Sequence, residues 1–199
     1  MKNNLLLISL VIGLSSCHKT LDYKEYFNYY NQFSAESFIE CEENGFNYKL
    51  QYRPKEFMAI NDLKSDPKIN AALITKVSSE YDNGYSFCLR ISSTKNEDVL
   101  EKNTQSKTEY FDRIGRLNAD FPYAIVGVNG VDTIRCQFHH YERTYKVQPF
   151  VQILFSLNPM KSAEIPEKVV FQDIIFNNGL IIEFKDFKTY YNQLPKLKI

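Results

Sequence analysis

The residues best suited to chemistry in this chain are His139, His140 and Glu142, within the run His139-His140-Tyr141-Glu142. Imidazole and carboxylate groups are ordinary metal ligands. The run reads as strand, however, and neighbouring side chains on a strand point to opposite faces, so His139 and His140 cannot hold one ion together. His140 and Glu142 share a face and offer two ligands where a catalytic zinc needs three. The third histidine, His18, stands near the N-terminus. No metal site and no cofactor is expected.

Nucleophilic catalysis has as little to start from. There is no Gly-x-Ser-x-Gly, and the few glycines mark turns rather than an oxyanion or phosphate loop. The cysteines are Cys17, Cys41, Cys88 and Cys136, with no Cys-x-x-Cys pair among them. Cys136 and His140 lie four apart on one strand, some ~13 Å at ~3.3 Å per residue, beyond hydrogen-bond reach. A pairing of Cys88 with a distant histidine stays open. Glu42-Glu43, Glu97-Asp98 and Glu183 are not singled out by their context. No catalytic residue is assigned.

The rings remain: 14 Tyr and 15 Phe, with no Trp. Most fall at alternating strand positions and belong to the core. Tyr26, Tyr29, Tyr30, Tyr190 and Tyr191 cluster near the two termini. They either pack the termini onto the domain or form a patch on which a sugar ring stacks.

The elements that must position these groups read as β-rich. Asn44-Gly45 separates two alternating runs and predicts a type I′ hairpin, because both turn positions want positive φ. Counting outward pairs 43 with 46, 41 with 48 and 39 with 50, with Glu40 opposite Lys49. Glu56 to Ile60 reads as a short edge strand after Pro54. Ser65-Asp66-Pro67 reads as a helix start, with Ile69, Leu73 and Val77 on one face and an end near Asp82. The run from Tyr85 to Ser92 alternates, and places Cys88 with Ser86 and Arg90 on the face away from the core, as the most exposed thiol.

Residues 94–106 read as loop. A second helix is expected from about Ser106 to Asn118. Asn129-Gly130 predicts a hairpin pairing 125 with 134, 123 with 136 and 121 with 138, with Phe121, Tyr123, Ile125, Ile134, Cys136 and Phe138 on one buried face. Phe150 to Leu157 is another strand. Asn178-Gly179 predicts a last hairpin between Val169–Phe176 and Leu180–Phe187. Three hairpins, about eight strands and about two covering helices give an α+β fold, mainly an antiparallel β-sandwich or curved sheet.

The N-terminus carries the clearest message. Lys2 is followed by a largely apolar run from Leu5 to Leu14, interrupted by Ser9 and Gly13, then by Leu14-Ser15-Ser16-Cys17. The run is too short to span a bilayer, which takes roughly 20 residues. It resembles the type II signal peptide of a bacterial lipoprotein, in which the lipobox is cut before the cysteine. The resemblance implies removal of residues 1–16, lipidation of Cys17, a lipid-anchored N-terminal segment over 17–34, and a single β-rich globular domain over 35–199. Three cysteines then remain, which allows at most one disulfide. Cys41 and Cys136 lie on apolar faces, where two buried free thiols are favoured over a bridge.

In the 17–34 segment, Leu21, Tyr23, Tyr26, Phe27 and Tyr30 recur at helical spacing, so most of it should pack on the domain. The aromatic segment, the hairpin running into Tyr52-Arg53-Pro54 and the ending near Pro195-Lys196-Leu197 are similar to envelope lipoproteins of Bacteroidota-type bacteria. That likeness implies location and fold and carries no functional motif.

With Lys2 removed, 23 basic residues face 24 acidic ones, scattered in both signs. This argues against nucleic acid and against electrostatic adhesion to lipid, and leaves the lipid on Cys17 as the membrane contact. His18 stands where inner-membrane lipoproteins often carry Asp, so the outer membrane is expected, with its periplasmic face favoured over the cell surface. The leading functional expectation is a non-enzymatic interaction or assembly module docking an envelope protein. The alternative is a ligand-binding lipoprotein for glycans or peptides, and an envelope hydrolase ranks third.

Overall fold

The computed structural model of the chain describes residues 19–143, 147–158 and 165–198. The signal peptide expected over 1–16, the lipidation site expected at Cys17, and His18 lie outside the described residues. In chain order the elements are β1 (Thr20–Leu21), α1 (Tyr23–Asn31), β2 (Ile39–Glu43), β3 (Phe46–Arg53), α2 (Lys55–Leu63), α3 (Ala71–Ser78), β4 (Tyr85–Ser93) and α4 (Lys107–Ala119). They continue with α5 (Phe121–Ala124), β5 (Ile125–Asn129), β6 (Asp132–Glu142), β7 (Phe150–Leu157), β8 (Lys168–Gln172), β9 (Ile181–Phe184), α6 (Phe187–Gln193) and β10 (Lys196–Leu197).

The fold is α+β. Eight strands form one antiparallel sheet in the order β2-β3-β4-β7-β6-β5-β8-β9. The sheet curls until β2 and β9 lie alongside each other without pairing, a nearly closed barrel. Its interior is a ring-rich core in which Tyr48, Phe87, Phe155, Phe171 and Phe184 are all buried. Phe87 and Phe155 stack at 5.1 Å on neighbouring strands.

The first hairpin has the predicted register: Ile39 opposite Leu50, Cys41 opposite Tyr48, Glu43 opposite Phe46. Asn44 and Gly45 sit at φ +50 and +75, as a type I′ turn demands. Lys49 meets Glu40 at 3.6 Å.

The second hairpin turns one residue later than expected. Asn129 pairs with Asp132 and Gly127 with Ile134, so the two-residue turn is Gly130-Val131. Of these only Gly130 has positive φ, +57, the pattern of a turn led by glycine. Ile125 and Ile134 still face inward, because the shift leaves their parity unchanged. Phe121 and Tyr123 belong to a helical turn with Pro122 at its start, and Tyr123 points to solvent.

Between Cys136 and Phe138 a β-bulge shifts the register against β7. It exchanges the two faces of the strand beyond it. Phe138 is therefore turned outward, 62 % exposed, while Tyr141 is buried.

The third hairpin is wider than Asn178-Gly179 alone would make it. Val169 pairs with Phe184 and Gln172 with Ile181, leaving 173–180 as a loop. Asp173 organises that loop. It is 2 % exposed, and its Oδ1 accepts from the N–H groups of Ile175 and Phe176 at 3.0 and 3.2 Å. Its Oδ2 accepts from the Tyr48 hydroxyl at 2.6 Å and from Asn178 Nδ2 at 2.8 Å. Loop and barrel wall are thereby tied together.

Two further expectations give way. Residues 56–60 are helix, not edge strand: Pro54 stands at the N-cap of α2, and Phe57 and Ile60 bury one face. The helix expected from Ser65-Asp66-Pro67 starts at Ala71, capped by Asn70, whose side chain accepts from Leu73 N–H at 3.0 Å. Asp66 instead closes a turn onto Lys68 N–H. The helix from Ser106 is as expected, with the Ser106 side chain capping α4 at Glu109. Among the described residues six α-helices accompany the sheet, where about two were expected.

Candidate functional site

The first and last strands of the described residues are zipped together. β1 and β10 pair in parallel, Thr20 with Lys196 and Leu21 with Leu197. Lys196 N–H donates to Lys19 C=O at 2.9 Å, and Lys198 N–H to Leu21 C=O at 2.8 Å. Helix α1 follows at once, opened by a capping box in which Asp22 and Glu25 each bond the other's backbone. Its spacing puts Tyr26 and Tyr30 one turn apart on the buried face, their rings edge to face at 5.0 Å.

Beside this ribbon is a cleft of about 440 Å³. Tyr26 and Tyr30 from α1 and Tyr52 from the end of β3 line its floor. Pro54, Lys55 and Glu56 form one side, and the chain from Tyr191 to Leu197 forms the other. Tyr191, 40 % exposed, meets Tyr52 edge to face at 5.4 Å and 68°. The buried rings cannot ionise at ordinary pH. Burial pushes the phenols of Tyr26, Tyr30 and Tyr52 far up, helped by the charge of Glu56 beside Tyr26. The Tyr30 hydroxyl is buried beside the Tyr26 side chain, which adds to the rise.

The five tyrosines singled out in the sequence therefore divide. Tyr26, Tyr30 and Tyr191 line the cleft. Tyr190 braces it from behind, donating to Ser37 C=O at 2.6 Å and accepting from Tyr52 N–H at 3.3 Å. Tyr29 packs its ring edge-on against Tyr30 at 5.0 Å, outside the lining. Tyr52 was missed because it sits at a core position of an alternating strand, with no local sign that the strand's end lies open. The packing of the termini and the aromatic site are one structure.

The other candidates come apart. His139 stacks on Phe121 at 5.8 Å, with its Nε2 3.0 Å from Asn118 C=O, while His140 is exposed. Among the described residues no three His, Cys, Asp or Glu side chains converge on a metal position. Leu154 on β7 separates Cys88 from His140 in the sheet, two strand spacings of ~4.8 Å, so they cannot share a proton. Glu97, Glu109 and Glu183 are held below the usual carboxylate range, chiefly by hydrogen bonds from Lys102, the Gln105 backbone and Lys168 respectively. A general acid needs the opposite displacement.

Cys88 corrects the sequence reading. Its register with Ser86 and Arg90 is right, but that face is covered. Gln51, beside Cys88 in the sheet, donates to Tyr30 C=O at 3.0 Å and to Ser37 Oγ at 2.8 Å, holding the N-terminal segment down. Arg90 lies between the rings of Phe33 and Phe150, at 3.9 and 4.2 Å. Cys88 is wholly buried, and burial pushes its thiol up to about 11 against the pull of Arg53 and Arg90.

Cys41, Cys88 and Cys136 are all free thiols. The open bridge between Cys41 and Cys136 is not made: their strands lie four apart in either direction around the barrel, beyond the ~7 Å limit for a disulfide. Brief alkylation of the folded chain at neutral pH should therefore modify Cys41 and Cys136 ahead of Cys88. Mass spectrometry of the peptides decides it, and early labelling at Cys88 would mean that the N-terminal segment is not seated.

No family model, no curated protein and no solved structure matches the chain. The cleft must be read from its own chemistry.

Proposed function

We propose that the chain is a lipid-anchored protein of the bacterial envelope that captures a ligand in the cleft between its termini and does no chemistry on it. The observation that carries the reading is the cleft itself. Its volume falls within the ~300–1,000 Å³ of small-ligand sites, and it is lined by aromatic rings with a few polar groups at the rim. The anchor is Cys17, expected in the outer membrane with the domain on its periplasmic face. Lys19, two residues on, is already bonded to the cleft wall at Lys196.

Incubation with the small-molecule fraction of an envelope extract should raise the melting temperature, since a ligand bound only by the folded state stabilises it. It should also slow amide exchange over residues 52–56 and 190–197. A gain that persists unchanged in Tyr191→Ala, or protection confined to other segments, contradicts the reading.

A second reading, the protein-interaction or assembly module, is favoured by Phe138, which the bulge turns outward. The sheet edges support it less. β2 and β9 lie against each other, and β2 carries Glu40, Glu42 and Glu43.

A further inference from the structure

We infer that the ligand of the tyrosine cleft is a neutral glycan, with a sugar ring stacked on Tyr191 and its hydroxyls met by Glu56, Asn192 and Lys196. The inference rests on the reading of the cleft as a binding site and narrows it to one ligand class.

Three features of the walls select that class. The first is the state of the main chain. An extended peptide binds chiefly through backbone hydrogen bonds to an open edge. Here the Tyr52 N–H is taken by Tyr190, the Leu194 N–H by Tyr191 C=O, and the Lys196 N–H by Lys19 C=O. Pro54 and Pro195 have no N–H to give. Of the main chain, the N–H groups of Lys55 and Glu56 at the start of α2, which no side chain caps, remain to assist the side chains that line the cleft.

The second is charge. Lys55 is paired with Asp82 at 2.6 Å, which leaves Glu56 and Lys196 as one acid and one base at the rim. Neither an anion nor a cation finds an excess of the opposite sign. Hydroxyl groups, which donate and accept, suit a rim that offers carboxylate, amide and ammonium together.

The third is the aromatic corner. Tyr52 is 9 % exposed and packs edge to face with Tyr191, which holds the Tyr191 ring on one side while 40 % of the residue stays open to solvent. A rigid, half-exposed ring with a hydroxyl at its end is the kind of surface against which an apolar sugar face packs while the sugar's own hydroxyls remain wet. The charged groups along the rim set this cleft apart from a sleeve for an acyl chain.

The test titrates maltotriose, cellotriose and chitotriose into the purified full chain, kept out of sugar-headgroup detergents, with trialanine as the peptide probe. Saturation-transfer NMR and calorimetry read binding. At least one trisaccharide should bind, with Tyr191→Ala weakening it about tenfold and Tyr191→Phe, which keeps the ring, by less than about threefold. An unchanged melting temperature of Tyr191→Ala shows that the loss is local.

Trisaccharide binding indifferent to Tyr191→Ala overturns the inference, as does the absence of any trisaccharide binding up to ~10 mM. Tyr191-dependent binding of trialanine alone sinks the glycan and leaves the cleft as a binding site. No binding of any probe, together with no stabilisation by envelope extract, sinks both.

Discussion

Asp173→Ala should cost the fold about 3–5 kcal/mol and lower its melting temperature by roughly 10 °C, as much as the loss of a buried core ring. The carboxylate is 2 % exposed and accepts four hydrogen bonds: from Tyr48, Asn178 and the N–H groups of Ile175 and Phe176. Removing it strands four donors, one of them a phenol in the barrel wall. Each unsatisfied buried donor costs about 1–3 kcal/mol, and partial relaxation toward water keeps the total below the sum.

Tyr48→Phe removes one of the four bonds and should cost about 1 kcal/mol. Asp173→Asn lies between, since its oxygen can still take the two backbone donors while its amide opposes Asn178. Thermal and urea melts of the three variants should rank them in that order. If Asp173→Ala melts within ~3 °C of the parent, the loop over 173–180 is not the clasp it is taken to be.

That clasp was not legible in the sequence, and the reason is physical. Asp173 is one acid among many, and the sequence offered a stronger local signal nearby in Asn178-Gly179. A two-residue Asn-Gly turn fits when both residues take positive φ, as at Asn44-Gly45. Around the third site positive φ falls on Asn177 and Gly179 instead, and the tertiary bonds to Asp173 set the loop width. At Gly130 the same dipeptide closed a turn one residue along, because Gly-Val with a single positive φ serves equally well. Alternation survived that slip and failed at the bulge, where one extra residue near 137 exchanges the faces and brings Phe138 out.

Cys88 shows the other limit of alternation. A strand with polar residues on one face is read as half-exposed, yet both faces of β4 are covered. Gln51, which is buried, and Arg90, which is half-buried between two rings, anchor residues 30–37 there rather than standing free in solvent. The site was half legible for a related cause. Five tyrosines near the termini are visible in the sequence. The parallel β1–β10 pairing that gathers three of them joins residues 176 positions apart, and the opening at the end of β3 that adds Tyr52 depends on Tyr190, 138 positions away. Two-residue strands leave no periodic signature.

Cys17→Ser should abolish outer-membrane attachment altogether while leaving the fold intact. On the proposed reading, the lipid on Cys17 is what holds the protein to the membrane. At ~0.8 kcal/mol per buried methylene, two or three acyl chains anchor a protein stably. A mature surface with 23 basic and 24 acidic residues, mixed in sign, offers no electrostatic substitute. The variant should also resist signal peptidase II, so a larger precursor should accumulate that still carries the apolar run Leu5–Leu14 and takes up no labelled fatty acid. Its melting temperature should match the parent's, because the first residue of the zipped ribbon is Thr20 and nothing described depends on the cysteine. Separation of the two membranes should move it out of the outer-membrane fraction, and protease added to intact cells carrying the parent chain reports the face on which the domain sits. Labelled lipid on Cys17→Ser would refute the lipobox. A parent chain found in the inner membrane would refute the sorting argument from His18 and leave the anchor standing.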